Sequence, residues 1–462
     1  MKTSIILNVD SYKTSMWTQY PTGTTGVYSY IESRGGRYDS TVFFGLQAFI
    51  KEYLLERINA DDIDTAEAIL TAHGEPFNRE GWEYILNKHD GLLPIVIRAV
   101  PEGTVVPVQN ALLTIENTDP ECFWLTTWLE TALLRAVWYP TTVATQSYTI
   151  KKLILQYLEK TGDPQEINFK LHDFGARGVS RLESAGLGSL AHLINFYGSD
   201  TIAGIIAGRN YYSSDICGFS IPAAEHSTIT SWGRENEVEA YRNMLTNFAR
   251  PGSVVAVVSD SYDIFNACEK LWGTELKQTI IDSGATLVIR PDSGDPATVV
   301  LKCLQILAEK FGVTINNKGY KVINNVRVLQ GDGINYESIQ EILETITNDN
   351  FSADNVAFGM GSGLLQQLNR DTCKFAMKAS CCIIDGKEVD IFKDPITDPG
   401  KRSKAGRISL WTSGGEFQSS VSQPKNWTDK GTEWTEVLEE VFRDGKLVKE
   451  ITFDQVRLNS QK

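Results

Sequence analysis

The chain has 462 residues, 22% charged and 42% hydrophobic, enough for two or three domains with large cores or for one barrel filling more than half of it. Its 58 acidic and 44 basic residues give a net charge of -14, which argues against general nucleic-acid binding or attraction to an anionic membrane surface. Any anionic substrate must then be held by a local basic cluster. Seven scattered cysteines without a C-x-x-C pair read as reduced cytosolic thiols, and five histidines too far apart for a local metal motif argue against zinc.

From Met1 to Tyr12 only Ile5-Ile6-Leu7 is apolar and Asp10 follows at once, so neither a signal peptide nor a membrane anchor is expected. The protein reads as soluble and cytoplasmic. The alternation from Val27 to Arg34 predicts a strand, and apolar positions 43, 46, 50 and 54 predict a helix from Thr41 to Leu54. Two more helical patterns follow in 61–88, the second around Trp82, Ile85 and Leu86, and then a period-two stretch from Leu92 to Val106. Asp119 to Lys160 reads as a packed helical layer, rich in aromatics and broken at Pro140.

From Ile167 onward short apolar strands end in polar or glycine-rich loops. The ends fall at Phe174, at the Gly218 to His226 segment, and at Asp260, Asp292, Asp332 and Gly361, the last four 32, 40 and 29 residues apart. That is the length of a β/α unit, so parallel strands with crossover helices are expected over 165–370 and a β/α barrel is the natural closure. Asp295-Pro296 predicts one crossover helix, buried along 300, 304, 307 and 311. After Lys378 hairpins take over, turning at Asp385-Gly386, Gly414-Gly415 and Asp444-Gly445. The expected fold is α/β: an irregular barrel-like domain over 151–374, and a discontinuous α+β domain from 1–150 and 375–462.

The chemistry should sit at the strand ends. In Lys170 to Gly178, Ile167-Asn168-Phe169 reads as strand and Phe174 stands at its end, with Gly175 and Gly178 leaving room beside the ring and Arg177 supplying a forked cation. A flat substrate with an anionic tail fits such a loop, although a core ring beside a surface cation is the plainer reading. Gly331-Asp332-Gly333 and Gly359 to Gly363, leading into a helix from Leu364 to Leu368, could present backbone N–H groups to a phosphate. Asp260, Asp292 and Asp332 could serve Mg²⁺, ribose hydroxyls or merely helix caps. Arg290 could meet a phosphate or pair with a neighbour, and His226 is recommended only by its strand-end setting. Lys393 to Arg407 is the densest positive stretch, a solvated loop or a collector for polyphosphate.

Taken together, Asp10 to Lys13, Tyr28-Ser29-Tyr30, Glu116 to Cys122, Leu171 to Gly175 with Arg177-Gly178, Pro222 to Thr230, Val258 to Asp263, Ile289 to Gly294, Gln330 to Gly333 and Phe392 to Pro395 closely resemble the nicotinamide phosphoribosyltransferases, of the type II phosphoribosyltransferase family. The resemblance runs over nearly the whole chain. It implies an NAD-salvage enzyme that joins nicotinamide to 5-phosphoribosyl pyrophosphate with Mg²⁺, giving nicotinamide mononucleotide and pyrophosphate. It also implies a homodimer whose active sites borrow residues from the partner, with ATP as an activating co-substrate. Phe174 and the partner's Tyr12 would sandwich the pyridine ring. Asp200 would accept the carboxamide N–H, with Arg177 and Arg290 near the ring and the product phosphate. Asp292 would hold the ribose, and Gly331, Asp332, Gly361, Ser362, Gly363 and the partner's Arg370 the 5′-phosphate side. His226 would be phosphorylated from ATP, with Arg34, Lys378, Lys393 and Lys401 in the polyphosphate region. Ser362 stands where the family usually has Gly, and Ala376 replaces a Ser near Lys378. The rivals are a nicotinate phosphoribosyltransferase and a non-catalytic phosphosugar-binding or partner-binding barrel.

Overall fold

In the computed structural model, which describes residues 3–398, 401–425 and 433–462, the chain divides into two units. The first holds Met1–Thr145, Gly208–Ser214 and Asn369–Lys462, the second Gln146–Ala207 and Asp215–Leu368.

The first unit is built on a seven-stranded antiparallel sheet in the order Lys387–Asp390, Phe375–Ile384, Thr24–Ser33, Ala111–Asn117, Ile95–Ala99, Glu439–Arg443, Lys446–Leu447. Early and late parts of the chain interleave in it, with Ile31 opposite Met377 and Ile97 opposite Phe442. All three expected hairpin turns form. Asp385-Gly386, Gly414-Gly415 and Asp444-Gly445 each place two consecutive residues at positive φ, the backbone that lets a two-residue turn follow the strand twist. Helices Ala60–His73 and Arg79–Lys88 bury Ile63, Ala66, Leu70, Trp82 and Ile85 against Ile95, Ile97, Leu113 and Ile115. Trp82, Trp124 and Trp128 meet edge to face, with centroids 4.9–5.5 Å apart.

Two expectations fail here. The helix predicted from Thr41 starts only after Gly45: a short strand Ser40–Val42 precedes it, and Leu46–Phe49 continues as a π turn over Ile50–Leu54. Positions 43, 46, 50 and 54 are nonetheless buried. Nor does Pro140 break its helix, which runs from Glu130 to Thr161 with the proline inside. A neighbouring loop closes over the proline. Thr141 Oγ1 both accepts from Phe44 N and donates to Phe44 O, at 3.1 Å each. Gly45, at φ 105°, leaves the space that a Cβ would fill 2.4 Å from the Pro140 ring.

In the second unit six parallel strands lie in the order Gly198–Ser199, Leu171–Asp173, Val356–Met360, Val326–Gln330, Thr286–Arg290, Val254–Val258. The expected strand in the Gly218 to His226 segment is reduced to two bridges, Gly198 to Phe219 and Ala223 to Ala256. Those bridges join the two edge strands, so the sheet curls into the barrel-like form the β/α rhythm predicts. The crossover helix Pro296–Phe311 is capped by Asp295 and buries 300, 304, 307 and 311. The strand expected at Ile167 is instead a 3₁₀ turn, Pro164–Phe169, because Asp163 caps it and Pro164 presets its first φ. Strand begins only at Leu171.

Candidate active site

Asp173, fully buried, shapes the first strand end. Its carboxylate accepts from Gly175 N at 2.7 Å and from Ser199 Oγ at 3.0 Å, and Phe174 N donates to Met360 O, so the turn that presents Phe174 is held from both sides. The ring packs against the bare backbone of Gly359. A Cβ added at Gly359 would be 2.0 Å from Phe174 Cε2. One added at Gly331 would be 3.5 Å from Phe174 Cε2, 3.5 Å from Asp292 Oδ1 and 3.8 Å from Arg290 Nε. An aromatic face, a carboxylate and a guanidinium therefore border one small space. Arg290 Cζ is 5.6 Å from the ring centroid, and its Nε is buried without a hydrogen-bond partner among the described residues, a donor available to a ligand.

Asp200 follows the strand Gly198–Ser199 and is tied back by its N–H to Asp173 O at 3.0 Å. His172 Nε2 lies 2.8 Å and Ser220 Oγ 2.5 Å from the same oxygen, Oδ1, which leaves Oδ2 to accept from elsewhere. Burial pushes this carboxyl upward, but hydrogen bonds from His172 and Ser220 and the Arg290 charge outweigh it, holding the group below its ordinary range and ionised. His172 and Ser220 were given no role from sequence. Ser220 lies in the Gly218 to His226 segment, whose strand-end position is the signal that could have marked it. Both also line a cavity of about 430 Å³ floored by Val288, Leu329 and Ala357.

His226 opens the helical turn His226–Thr230, with Nε2 3.5 Å from both Asp260 Oδ1 and Asp292 Oδ2 and Nδ1 3.2 Å from Ser261 Oγ. Asp260 Oδ2 accepts from Asp292 N and Ser293 Oγ, whereas its Oδ1 is buried without a hydrogen bond among the described residues. Two carboxylates and a half-exposed imidazole thus lie together at these strand ends. Asp332 is exposed beyond Gly331, and only its backbone O takes a hydrogen bond, from Gln330. The helix after the second glycine loop is a single turn, Ser362–Leu365, shorter and earlier than expected. A Cβ added at Gly178 would be 2.8 Å from Ser362 Cβ, so the loop of Arg177, itself exposed, packs closely on this turn.

The remaining predicted residues belong to the first unit. Tyr12 is 57% exposed in the 3₁₀ helix Ser11–Thr18, and Arg370 is exposed at the start of Arg370–Thr372, beside Asp371. Lys378 is half-buried; burial lowers its pKa, Glu130 raises it, and the Arg34, Lys13 and Lys393 charges lower it further. These cations lie close enough to repel one another, the arrangement a polyanion relieves. Arg34 Nε is buried without a partner among the described residues. The basic loop itself is largely paired: Lys401 with Asp398 at 3.1 Å, Arg402 with Asp394 at 3.8 Å, Lys404 with Glu32, Arg407 with Glu116 and Glu388. Its Pro399 and Gly400 lie outside the described residues.

A fold of this kind recurs in solved structures. Nicotinate-nucleotide pyrophosphorylase from Pyrococcus furiosus superposes with a TM-score of 0.64 at 15% identity, covering 99% of this chain and 95% of that one. Human nicotinic acid phosphoribosyltransferase gives 0.61 at 15% identity, covering 98% and 92%. Residues 169–446 match the model of the nicotinate phosphoribosyltransferase (NAPRTase) family, and residues 4–97 that of the nicotinamide phosphoribosyltransferase N-terminal domain. A protein of Xanthomonas campestris pv. campestris named nicotinamide phosphoribosyltransferase is 55% identical over 99% of this chain and 98% of its own length. One of the same name from Acinetobacter baylyi is 34% identical over 97% and 95%. The chain belongs to the nicotinate phosphoribosyltransferase family and is a phosphoribosyltransferase. Within that family it goes with the members that carry the nicotinamide phosphoribosyltransferase N-terminal domain.

Proposed function

We propose that the protein transfers a phosphoribosyl group from 5-phosphoribosyl pyrophosphate to nicotinamide, forming nicotinamide mononucleotide and pyrophosphate for NAD salvage. The observation that carries this reading is Asp200, ionised and with Oδ2 uncommitted, close to the ring-bearing strand end. A carboxylate there accepts the amide N–H of nicotinamide, whereas nicotinate would set a second carboxylate against it.

Phe174 stacks on the pyridine ring, and Tyr12 of a second subunit covers its other face. Homodimeric assembly is supported by the exposure of Tyr12 and of the apolar Leu182, Ile202 and Ile206. The ring nitrogen attacks C1 of the ribose as the C1–O bond to pyrophosphate breaks, and positive charge develops on the sugar. Asp292 holds the ribose, and the backbone of Gly331, Asp332, Gly361, Ser362 and Gly363 receives the 5′-phosphate with Arg177, Arg290 and the partner's Arg370. No side-chain nucleophile is needed. The oxygen-only donors of Asp260 and Asp292, one of them a buried orphan, suit Mg²⁺, which when bound neutralises the departing pyrophosphate.

ATP is proposed to phosphorylate His226, whose ring is half-exposed and steadied by Ser261, Asp260 and Asp292. Arg34, Lys378 and Lys393, with Lys401, are proposed to receive the polyphosphate. A cytoplasmic location is proposed from the seven buried cysteines, none of them in a disulfide among the described residues. Among the described residues no helix is long and apolar enough to cross a membrane. The test is direct. Purified protein with phosphoribosyl pyrophosphate and Mg²⁺ is offered nicotinamide or nicotinate and the mononucleotides are separated. Nicotinamide mononucleotide is the expected main product, and nicotinate mononucleotide alone would overturn the proposal.

A further inference from the structure

Folding assembles a nitrogen, oxygen and sulfur donor set from segments that the sequence keeps apart. His89 ends the helix Arg79–Lys88, Asp119 caps the 3₁₀ turn Pro120–Cys122, and Cys122 is the last residue of that turn. One ligand atom from each lies within 4.8 Å of both others, with His89 Nε2 2.9 Å from Asp119 Oδ2. His89 and Asp119 are 30 residues apart in sequence, so no local metal motif marks a cluster that only folding assembles.

We propose that His89, Asp119 and Cys122 form a zinc site that staples this helix end to the turn and takes no part in phosphoribosyl transfer. One imidazole, one carboxylate and one thiolate are ligands that zinc takes readily, whereas Mg²⁺ and Ca²⁺ prefer oxygen alone. Zinc bonds of about 2.0–2.3 Å set tetrahedral ligands roughly 3.3–3.8 Å apart. The histidine and carboxylate must therefore open by a few tenths of an ångström and the other pairs close by about one at most, within the reach of side-chain rotation.

The surroundings are those of a ligand set. Asp119 is held by other donors, Glu121 N at 2.9 Å on Oδ1 and Tyr84 OH at 3.1 Å on Oδ2, the outer contacts that orient a metal-binding carboxylate. Cys122 is fully buried, and its thiol makes no hydrogen bond among the described residues, so a polar group points into the cluster without a partner. His89 and Asp119 keep 25% and 19% of their side-chain surface exposed, which gives an ion a path and the fourth position a water. Binding exchanges the Cys122 thiol proton for the metal and releases it to solvent.

The test uses the full-length protein, stripped of metal and titrated with Co²⁺ and then Zn²⁺. One equivalent of Co²⁺ should give the intense visible bands of a tetrahedral site and a near-ultraviolet thiolate-to-cobalt band, and Zn²⁺ should displace it. Cys122→Ser, nearly isosteric, should lose the near-ultraviolet band, and His89→Gln should weaken Zn²⁺ binding at least about tenfold. Absence of a bound equivalent, absence of the thiolate band in the wild type, or binding unchanged in both variants would each overturn the assignment.

Discussion

Phe174 lies against Gly359 so closely that a single added carbon would fall 2.0 Å from Cε2 of its ring, whereas the nearest atom to a carbon added at Gly361 is Phe174 O at 3.9 Å. The ring's pose therefore depends on one glycine. Gly359→Ala should displace it and raise the KM for nicotinamide roughly two- to tenfold, the range expected for a lost stacking contact. Gly361→Ala, assayed at saturating phosphoribosyl pyrophosphate because its backbone is assigned to the 5′-phosphate, should change that KM far less. Equal effects of the two substitutions would show that the ring is not positioned through Gly359.

His226 touches Ser261 and lies between Asp260 and Asp292, and the proposed role is phosphate acceptance from ATP. In His226→Ala the stimulation of synthesis by ATP should vanish while part of the ATP-independent rate survives. Stimulation of the wild-type size in the variant would remove His226 from that role.

Shared sites give a complementation experiment. Tyr12→Ala and Phe174→Ala subunits, each inactive alone, should regain part of the activity on mixing, since a mixed dimer holds one intact ring site. No recovery after verified subunit exchange would place Tyr12 and Phe174 in the same subunit's site or outside it.

Stability should fall on the acid side through His192. Burial holds this imidazole down to about 4 from 6.5, with the nearby Asp173 charge pulling the other way. A neutral ring suits both of its contacts, with Nδ1 2.8 Å from Ser147 Oγ and Nε2 3.2 Å from Gly198 O. Because the folded value is depressed, its contribution is complete above pH 6.5 and is lost as pH falls toward 4. The full loss is about 3 kcal/mol. Urea unfolding measured at about pH 7.5 and pH 5 should show this slope in the wild type and a flatter one in His192→Asn. Equal slopes would assign the acid sensitivity elsewhere.

The parts of the fold set by local chemistry were legible from sequence. The Asp385-Gly386 turn and the Asp295-Pro296 helix start each carry their signal within a few residues, and Asp260, Asp292, Asp332 and Gly361 carry theirs in a recurrence at the length of one β/α unit. Pro140 and Gly45 were not, because a proline survives in a helix when a distant loop supplies the contacts that cover it. The same limit explains the site. Phe174 was marked by its glycines, but the bonds from His172 and Ser220 to Asp200 need three strand ends brought together, and no spacing along the chain encodes them. The ion pairs at the end of the basic loop were likewise not legible, since Glu32 meets Lys404 and Glu116 and Glu388 meet Arg407 only once distant strands are paired.

Substrate choice turns on the Asp200 carboxylate. The measurement is the ratio of kcat/KM for nicotinamide over nicotinate, in the wild type and in Asp200→Ser side by side. A charge-assisted hydrogen bond worth roughly 1.5–3 kcal/mol should make the wild-type ratio exceed about tenfold. Asp200→Ser should lower nicotinamide use and narrow the ratio, with Phe174 still stacking on either ring. A wild type that uses nicotinate as well as nicotinamide, or a ratio unchanged in Asp200→Ser, would contradict it.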